Sequence, residues 1–199
     1  MGTNITLHLG NVSAAERSGV FGHHPATIWL TGLSGAGKST LAFALEKRLT
    51  LMGYAAYALD GDNVRHGLSR DLGFSPHDRK ENIRRVAEVA RMFNDAGLFV
   101  ITAFISPYRE DREGAREVIG PARFLETYLS TPIGECERRD PKGLYRRARA
   151  GLLPEFTGVS APYEPPQSPA TALDTAQLDL EECLDRLIAL LSPLFVRAR

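Results

Sequence analysis

Gly32-Leu33-Ser34-Gly35-Ala36-Gly37-Lys38-Ser39, followed by Thr40, fits the pattern G-x-x-x-x-G-K-[ST]. Glycines let a backbone wrap phosphates so that its N–H groups point inward. A helix opening at such a loop adds the positive end of its dipole. In this pattern Lys38 reaches the β- and γ-phosphates of a nucleoside triphosphate, and the Ser39 hydroxyl binds Mg²⁺. The loop leaves open where the phosphate goes: to water, to a metabolite, or nowhere, as in a switch. The guanine-reading sequence N-K-x-D is absent, and a formal D-x-x-G at Asp140–Gly143 stands too far downstream, in a basic segment, to suit a switch. These residues favour a small-molecule kinase that uses ATP and Mg²⁺.

Candidate acceptor residues follow. Asp60 and Asp62 sit at and just beyond the end of "GYAAYALD". A carboxylate there orients or deprotonates an acceptor hydroxyl, or holds Mg²⁺ through water. It can equally cap a turn. Arg65, Arg79 and Asn82 come next, the last two on one helix face. Arginine suits planar recognition of phosphate or sulfate oxygens. Phe74 lies between them, either to stack on a base or to fill the core. Ser106 ends "LFVITAFIS", before Pro107; as a nucleophile it would need a base within hydrogen-bond reach. The run "CERRDPKGLYRRARAG" sets Arg138, Arg139, Lys142, Arg146, Arg147 and Arg149 against Glu137 and Asp140. That charge suits a lid closing over phosphates, or simply a solvated helix face.

The elements that must position these residues alternate between strand and helix. "ATIWL" reads as a buried strand, and Lys38 to Leu51 as a helix with Ala42, Leu45 and Leu49 at helical spacing. "GYAAYALD" reads as a second strand. "SPHDRKENIRRVAEVARMFNDAG" is a marked helix: Ser75 caps it, Pro76 suits its first position, Asp78 completes a capping box, and Gly97 ends it. Ile83, Val86, Ala90 and Phe93 form its apolar stripe. "LFVITAFIS" is a central strand, "ARFLETYLS" another, with a helix from Glu135. Asp179 to Leu191 is amphipathic, with Leu180, Cys183, Leu184, Leu187, Ile188 and Leu191 on one face. This order predicts an α/β domain with a parallel sheet. Residues 1–26 read as an extension without a strong period and 27–199 as the domain; Ala161–Ala170 is Pro-rich and irregular.

The 199 residues suit one core, and 24 Lys+Arg balance 24 Asp+Glu, which argues against a protein that coats nucleic acid or an anionic membrane. Cys136 and Cys183 are far apart, outside any zinc-type cluster, and read as reduced thiols. No apolar run reaches the ~18 residues of a membrane helix. The first segment lacks the basic start and apolar centre of a secretory signal, so a cytoplasmic enzyme is expected.

Taken together, "GLSGAGKST", "LDGDNVRHGLSRDLGFSPHDRKENIRRVAEVARMF", "ITAFISPYREDRE", "CERRDPKGLYRRARAG" and "FTGVSAPYEPP" resemble the adenylylsulfate kinase (APS kinase) family over roughly Thr27 to Leu191. The resemblance implies a P-loop NTPase kinase fold, with helices on both faces of a parallel sheet and a basic lid at about 138–160. It implies transfer of the γ-phosphate of MgATP to the ribose 3′-hydroxyl of adenosine 5′-phosphosulfate, usually by a homodimer, with a functional link to ATP sulfurylase. By the same resemblance, Asp60 and Asp62 are the acidic residues beside acceptor and metal. Asn63, Arg65, Arg79 and Asn82 hold the adenylylsulfate. Phe74 and Phe156 sandwich its adenine, and Ile105, Ser106, Lys142 and Leu144 complete its site. Arg139 stands near the ATP base. The family often assigns Ser106 as a phosphoserine intermediate; direct in-line transfer is favoured here, because phosphoryl transfer needs positioning and charge neutralisation more than a covalent stage. One departure is "LLPEFTG", where Glu155 stands in place of the family's common Asn or Gly and adds negative charge beside Phe156. The alternatives are another metabolite kinase, of gluconate or shikimate type, and a non-catalytic nucleotide-binding regulatory domain.

Overall fold

The computed structural model describes residues 10–196 together with Thr6 and His8. The part of the N-terminal extension outside these residues lies beyond the description. Inside it the extension holds a helix that the sequence reading did not foresee, α1 (Ala14–Phe21), closed by a capping box between Ser13 and Glu16. It is too short for a period to show.

The domain begins with β1 (Thr27–Gly32), which runs through the phosphate-loop motif into α2 (Lys38–Leu51). Then come β2 (Ala56–Asp60), the short α3 (Gly61–Arg65), α4 (Pro76–Asp95) and β3 (Phe99–Ala103). The second half comprises α5 (Arg109–Ile119), β4 (Phe124–Leu129), α6 (Ile133–Arg139), α7 (Leu144–Arg149), β5 (Thr171–Leu173) and α8 (Leu180–Leu191). The five strands are all parallel in the order β2-β3-β1-β4-β5.

Strand β1 is buried along its whole length, and its alternating side chains feed two cores. Ile28 and Leu30 join Leu41, Leu45 and Leu49 of α2 and Leu184, Leu187 and Leu191 of α8. Trp29 faces the other way, into a core with Ile83, Val86 and Ala90 of α4 and Ala115 and Ile119 of α5. Burial on both faces explains why β1 and β3 read as short apolar runs rather than alternating ones. Truncating a fully buried residue such as Leu45 to Ala would cost about 2–5 kcal/mol. The expected α/β fold, with helices on both faces of a parallel sheet, is what the structure shows.

Several local readings are corrected. Ser75 does cap α4, accepting from the Asp78 N–H at 3.1 Å, but no capping box forms there. The Asp78 carboxylate instead accepts from the Gly73 N–H and ties down the preceding turn. The helix expected from Glu135 begins at Ile133. Gly97 does take the left-handed conformation, with φ 100°. It also lies against Phe21, where a Cβ would meet the ring at 2.7 Å, so α1 is packed on the domain.

Because the chain moves outward from β1 to both sides of the sheet, the carboxyl ends of β1, β2 and β3 open onto a shared crevice, where α/β sheets bind ligands. The chemistry-bearing residues cluster there.

Candidate active site

The phosphate loop, Gly32 to Ser39, turns from β1 into the first turn of α2. Gly35 has φ 77°, and a Cβ on it would lie 2.9 Å from the Cys136 carbonyl oxygen, so glycine is required by both conformation and space. Ser34 also supports the loop, its carbonyl accepting from the Tyr145 hydroxyl at 3.0 Å. Ala36 is buried, whereas Thr40 is exposed on α2. Lys38 is buried, and its Nζ donates to the carbonyls of Gly32 (2.9 Å) and Leu33 (2.6 Å). Burial lowers its pKa from the ordinary 10.5 to about 8, with Asp60 and Asp62 among the charges that oppose the shift. A fixed ammonium starved of water favours binding of an anion that restores its charge balance.

Asp60 ends β2 and does two things at once. Its Oδ1 caps α3, accepting from the N–H groups of Asp62 (3.0 Å) and Asn63 (3.3 Å). Its Oδ2 accepts from Ser39 Oγ at 2.6 Å. Capping and a functional position are therefore compatible in one carboxylate. Ser39 and Asp60 give a hydroxyl and a carboxylate oxygen side by side, a hard-oxygen pair that fits Mg²⁺, which keeps several waters and takes few protein ligands. Among the described residues no group of three or more His, Cys, Asp or Glu forms a metal cage.

Asp62 is ion-paired with Lys142 across the crevice, which brings the basic segment onto the end of β2. Tyr145, buried in the same segment, contacts the Phe156 ring edge-on at 5.1 Å. Leu144, half-buried, opens α7. Arg139 donates to Thr175 Oγ1 (2.8 Å), the Thr175 carbonyl (2.7 Å) and Glu135 (2.8 Å), and more loosely to the Gly35 carbonyl (3.4 Å). It thus stands beside the phosphate loop.

Arg79 is a three-way connector. Its Nε donates to the Phe74 carbonyl (2.8 Å), Nη1 to Thr157 Oγ1 (3.2 Å) and Nη2 to the Glu155 carbonyl (3.0 Å). The start of α4 is thereby joined to the segment carrying Phe156. Phe74 is 65% exposed and is not a core residue. Arg65 spreads over its ring at 4.4 Å while donating to the carbonyls of Leu72 and Gly73. Asn82 is buried, and among the described residues its Oδ1 has no hydrogen-bond partner.

Ser106, beyond the end of β3, is buried and holds φ 40°. Its carbonyl accepts from Arg112 Nη1 (2.7 Å), and that of Ile105 from Thr31 Oγ1 (2.8 Å). The sequence reading missed this support. Buried Arg112 also pairs with Glu126 (2.6 Å), and Thr31 shares a 2.9 Å bond with Tyr163. A charged residue on a helix gives no sign in sequence that it points inward. Leu33, Tyr128, Tyr163 and residues 158–162 line an open cavity of about 590 Å³ beside the loop. It does not contain Lys38 or Asp60, whose chemistry marks the site better.

A model of the family described as adenylylsulphate kinase matches residues 24–174. The adenylyl-sulfate kinase of Staphylococcus epidermidis is 53% identical over 185 residues, covering 93% of both chains. The Mycobacterium tuberculosis APS kinase, solved in complex with AMPPNP and APS, superposes with a TM-score of 0.82 at 46% identity, covering 85% of this chain and 99% of that one. A hexameric APS kinase from Thiobacillus denitrificans aligns with a TM-score of 0.67 at 34% identity over 89% of this chain and 31% of that one. On the extent of these matches, the chain belongs to the adenylylsulphate kinase family.

Proposed function

We propose that the chain transfers the γ-phosphate of ATP to the ribose 3′-hydroxyl of adenosine 5′-phosphosulfate, giving 3′-phosphoadenosine 5′-phosphosulfate and ADP. The observation that carries this reading is the meeting of three segments at one point. Ser39 of the phosphate loop binds Asp60, and two residues on Asp62 binds Lys142 of the basic segment. Donor loop, acceptor strand and lid are thus assembled around two carboxylates.

In the transfer, the acceptor oxygen forms its bond to the γ-phosphorus as the bond to the β,γ-bridging oxygen breaks, and the hydroxyl proton leaves to a carboxylate. Asp62, on the lid side, is the residue assigned to orient that hydroxyl and take its proton. Ser39 and Asp60 would hold Mg²⁺, which when bound neutralises charge between the phosphates. Lys38 supplies a buried positive charge to the transferred phosphoryl group, and Gly32 to Thr40 cradle the nucleotide, with Arg139 toward its base. On the acceptor side Asn63, Arg65, Arg79, Asn82, Ile105, Ser106, Lys142 and Leu144 hold the adenylylsulfate, with Phe74 and Phe156 on its adenine. Residues 138–160 act as the lid, residues 1–26 as an extension of the 27–199 domain. We assign the working form as a cytoplasmic homodimer, linked functionally to ATP sulfurylase as the source of its substrate.

The deciding experiment supplies MgATP with adenylylsulfate, and separately with gluconate or shikimate, and follows ADP release. Turnover with adenylylsulfate alone is expected. Its absence would overturn the reading, and a bound but unreacted nucleotide would point to a regulatory domain.

A further inference from the structure

Trp29 is the single tryptophan of the chain, and it is completely buried in the middle of β1. Its ring is held between Phe104 (centroids 6.1 Å apart) and Phe124 (5.5 Å). Its polar atom is not spent on the core: Nε1 donates to Ser106 Oγ at 3.2 Å, across 77 positions of sequence. Among the described residues the indole is the one hydrogen-bond partner of that hydroxyl. Among the described residues no histidine, carboxylate or lysine is hydrogen-bonded to it.

The backbone of Ser106 is fixed as well. Its φ of 40° lies in the region that disfavours a residue with a Cβ, and such strain persists only where surroundings impose it. They do: Arg112 donates to the Ser106 carbonyl, to Glu126 and to the Glu164 carbonyl, and Thr31 Oγ1 donates to the neighbouring Ile105 carbonyl at 2.8 Å. Trp29, Arg112 and Thr31 therefore hold Ile105 and the buried Ser106 just beyond the carboxyl end of β3.

An indole N–H donates and cannot accept. The Ser106 oxygen must accept from it, so the hydroxyl proton is free to point away from Trp29. A hydroxyl that accepts one bond becomes a better donor in the next, and a weaker base. A nucleophilic serine needs the opposite, a neighbouring base to draw its proton. We propose that Trp29 is a positioning residue that orients Ser106 as a hydrogen-bond donor to a substrate oxygen in phosphoryl transfer, and that Ser106 carries no phosphoryl group. The inference rests on the kinase reading above, and wild-type turnover of adenylylsulfate is the control that tests that reading separately.

The test is a double-mutant cycle with Trp29→Phe, which removes the N–H and keeps an aromatic ring, and Ser106→Ala. Each single variant is expected to lose roughly tenfold in kcat with KM for ATP unchanged, because misplacement of one donor acts on the transition state. Combined, they should lose no more than Ser106→Ala alone. A merely structural Trp29 would lower kcat by the same factor in both backgrounds, and that result would overturn the proposal. Should Trp29→Phe fail to fold, Trp29 fluorescence decides in otherwise unaltered protein. An acceptor at the indole N–H stabilises the polar excited state, so Ser106→Ala should shift emission to the blue; unchanged emission would overturn the contact. Mass spectrometry after incubation with MgATP should find Ser106 unmodified, and stoichiometric phosphate on it would refute the donor role.

Discussion

Oδ2 of Asp60 accepts a 2.6 Å hydrogen bond from Oγ of Ser39, so the end of β2 and the first turn of α2 are tied by the two residues that would hold Mg²⁺. The same carboxylate caps α3 through Oδ1. Asn at that position preserves the cap, since it ranks with Asp as an N-cap residue, but loses the charge. Asp60→Asn is therefore expected to stay within about 1 kcal/mol of wild-type stability while turnover falls at least about a hundredfold. Thermal melts and ADP release across a Mg²⁺ titration check both halves. Activity restored by millimolar Mg²⁺ would fit a weakened metal site; activity unaffected at every concentration would remove Asp60 from it.

Burial sets the sign of the pH effect at Lys38. Its folded pKa is lowered to about 8, so the charged form is carried into the fold at neutral pH at a cost on the order of 3 kcal/mol. Above about 8 the folded state releases the proton while the unfolded chain keeps it up to 10.5, so this destabilisation fades over that window. Lys38→Met should then raise the melting temperature of the nucleotide-free protein at pH 7 by several degrees, with a smaller gain near pH ~9.5. Turnover should be abolished. A variant less stable than wild type at pH 7 would show that the bonds to Gly32 and Leu33 outweigh the desolvation.

What could be read beforehand follows from which signals are local. The phosphate loop, Asp60 at a strand end and the cap at Ser75 are stretches whose residues act on their neighbours, and they lie where expected. Helix α5 was not foreseen, because it buries Asp111 and Arg112 beside Ala115 and Ile119, and two charges break the apolar pattern. Strand β5 spans three residues, too few for a period. Phe74 fits a base-stacking or a core role equally by residue type, and its 65% exposure decides against the core. The contacts that organise the crevice join Arg79 to Thr157 and Lys142 to Asp62 across more than 75 residues, and no spacing rule reaches that far.

Lys142 and Asp62 pair with side chains 59% and 67% exposed, a setting in which an ion pair contributes about 0–1 kcal/mol. Lys142→Ala should accordingly leave the melting temperature within about one degree while raising KM for adenylylsulfate roughly tenfold or more. Wild-type KM should also rise with salt, since exposed charges are screened. Calorimetry alongside steady-state kinetics separates these effects. A large loss of stability would mean that the pair is structural, and an unchanged KM would take Lys142 out of the acceptor site.

Among the described residues three non-glycine residues have positive φ, Ser106, Asp140 and Glu155, and all three lie in the candidate site or in the 138–160 segment beside it. Glu155 is the one whose side chain is misplaced on two counts. Its φ of 54° belongs to the left-handed region, which costs an ordinary L-residue about 1–2 kcal/mol and Asn or Gly much less. Its side chain is exposed and adds a negative charge next in sequence to Phe156, close to where an anionic nucleotide is expected. The backbone, by contrast, is useful: its carbonyl accepts from Arg79, which ties the start of α4 to the segment carrying Phe156. Glu155→Asn keeps that carbonyl, fits the conformation and removes the charge. It should gain about 0.5–1 kcal/mol of stability, less than the full strain because the unfolded chain also changes. It should also lower KM for adenylylsulfate severalfold, with kcat little altered, since uniform binding is what improves. Glu155→Gln separates the two causes, because it removes the charge and keeps the strain. If Glu155→Asn weakens adenylylsulfate binding, the carboxylate serves the closed lid and its charge is not a burden.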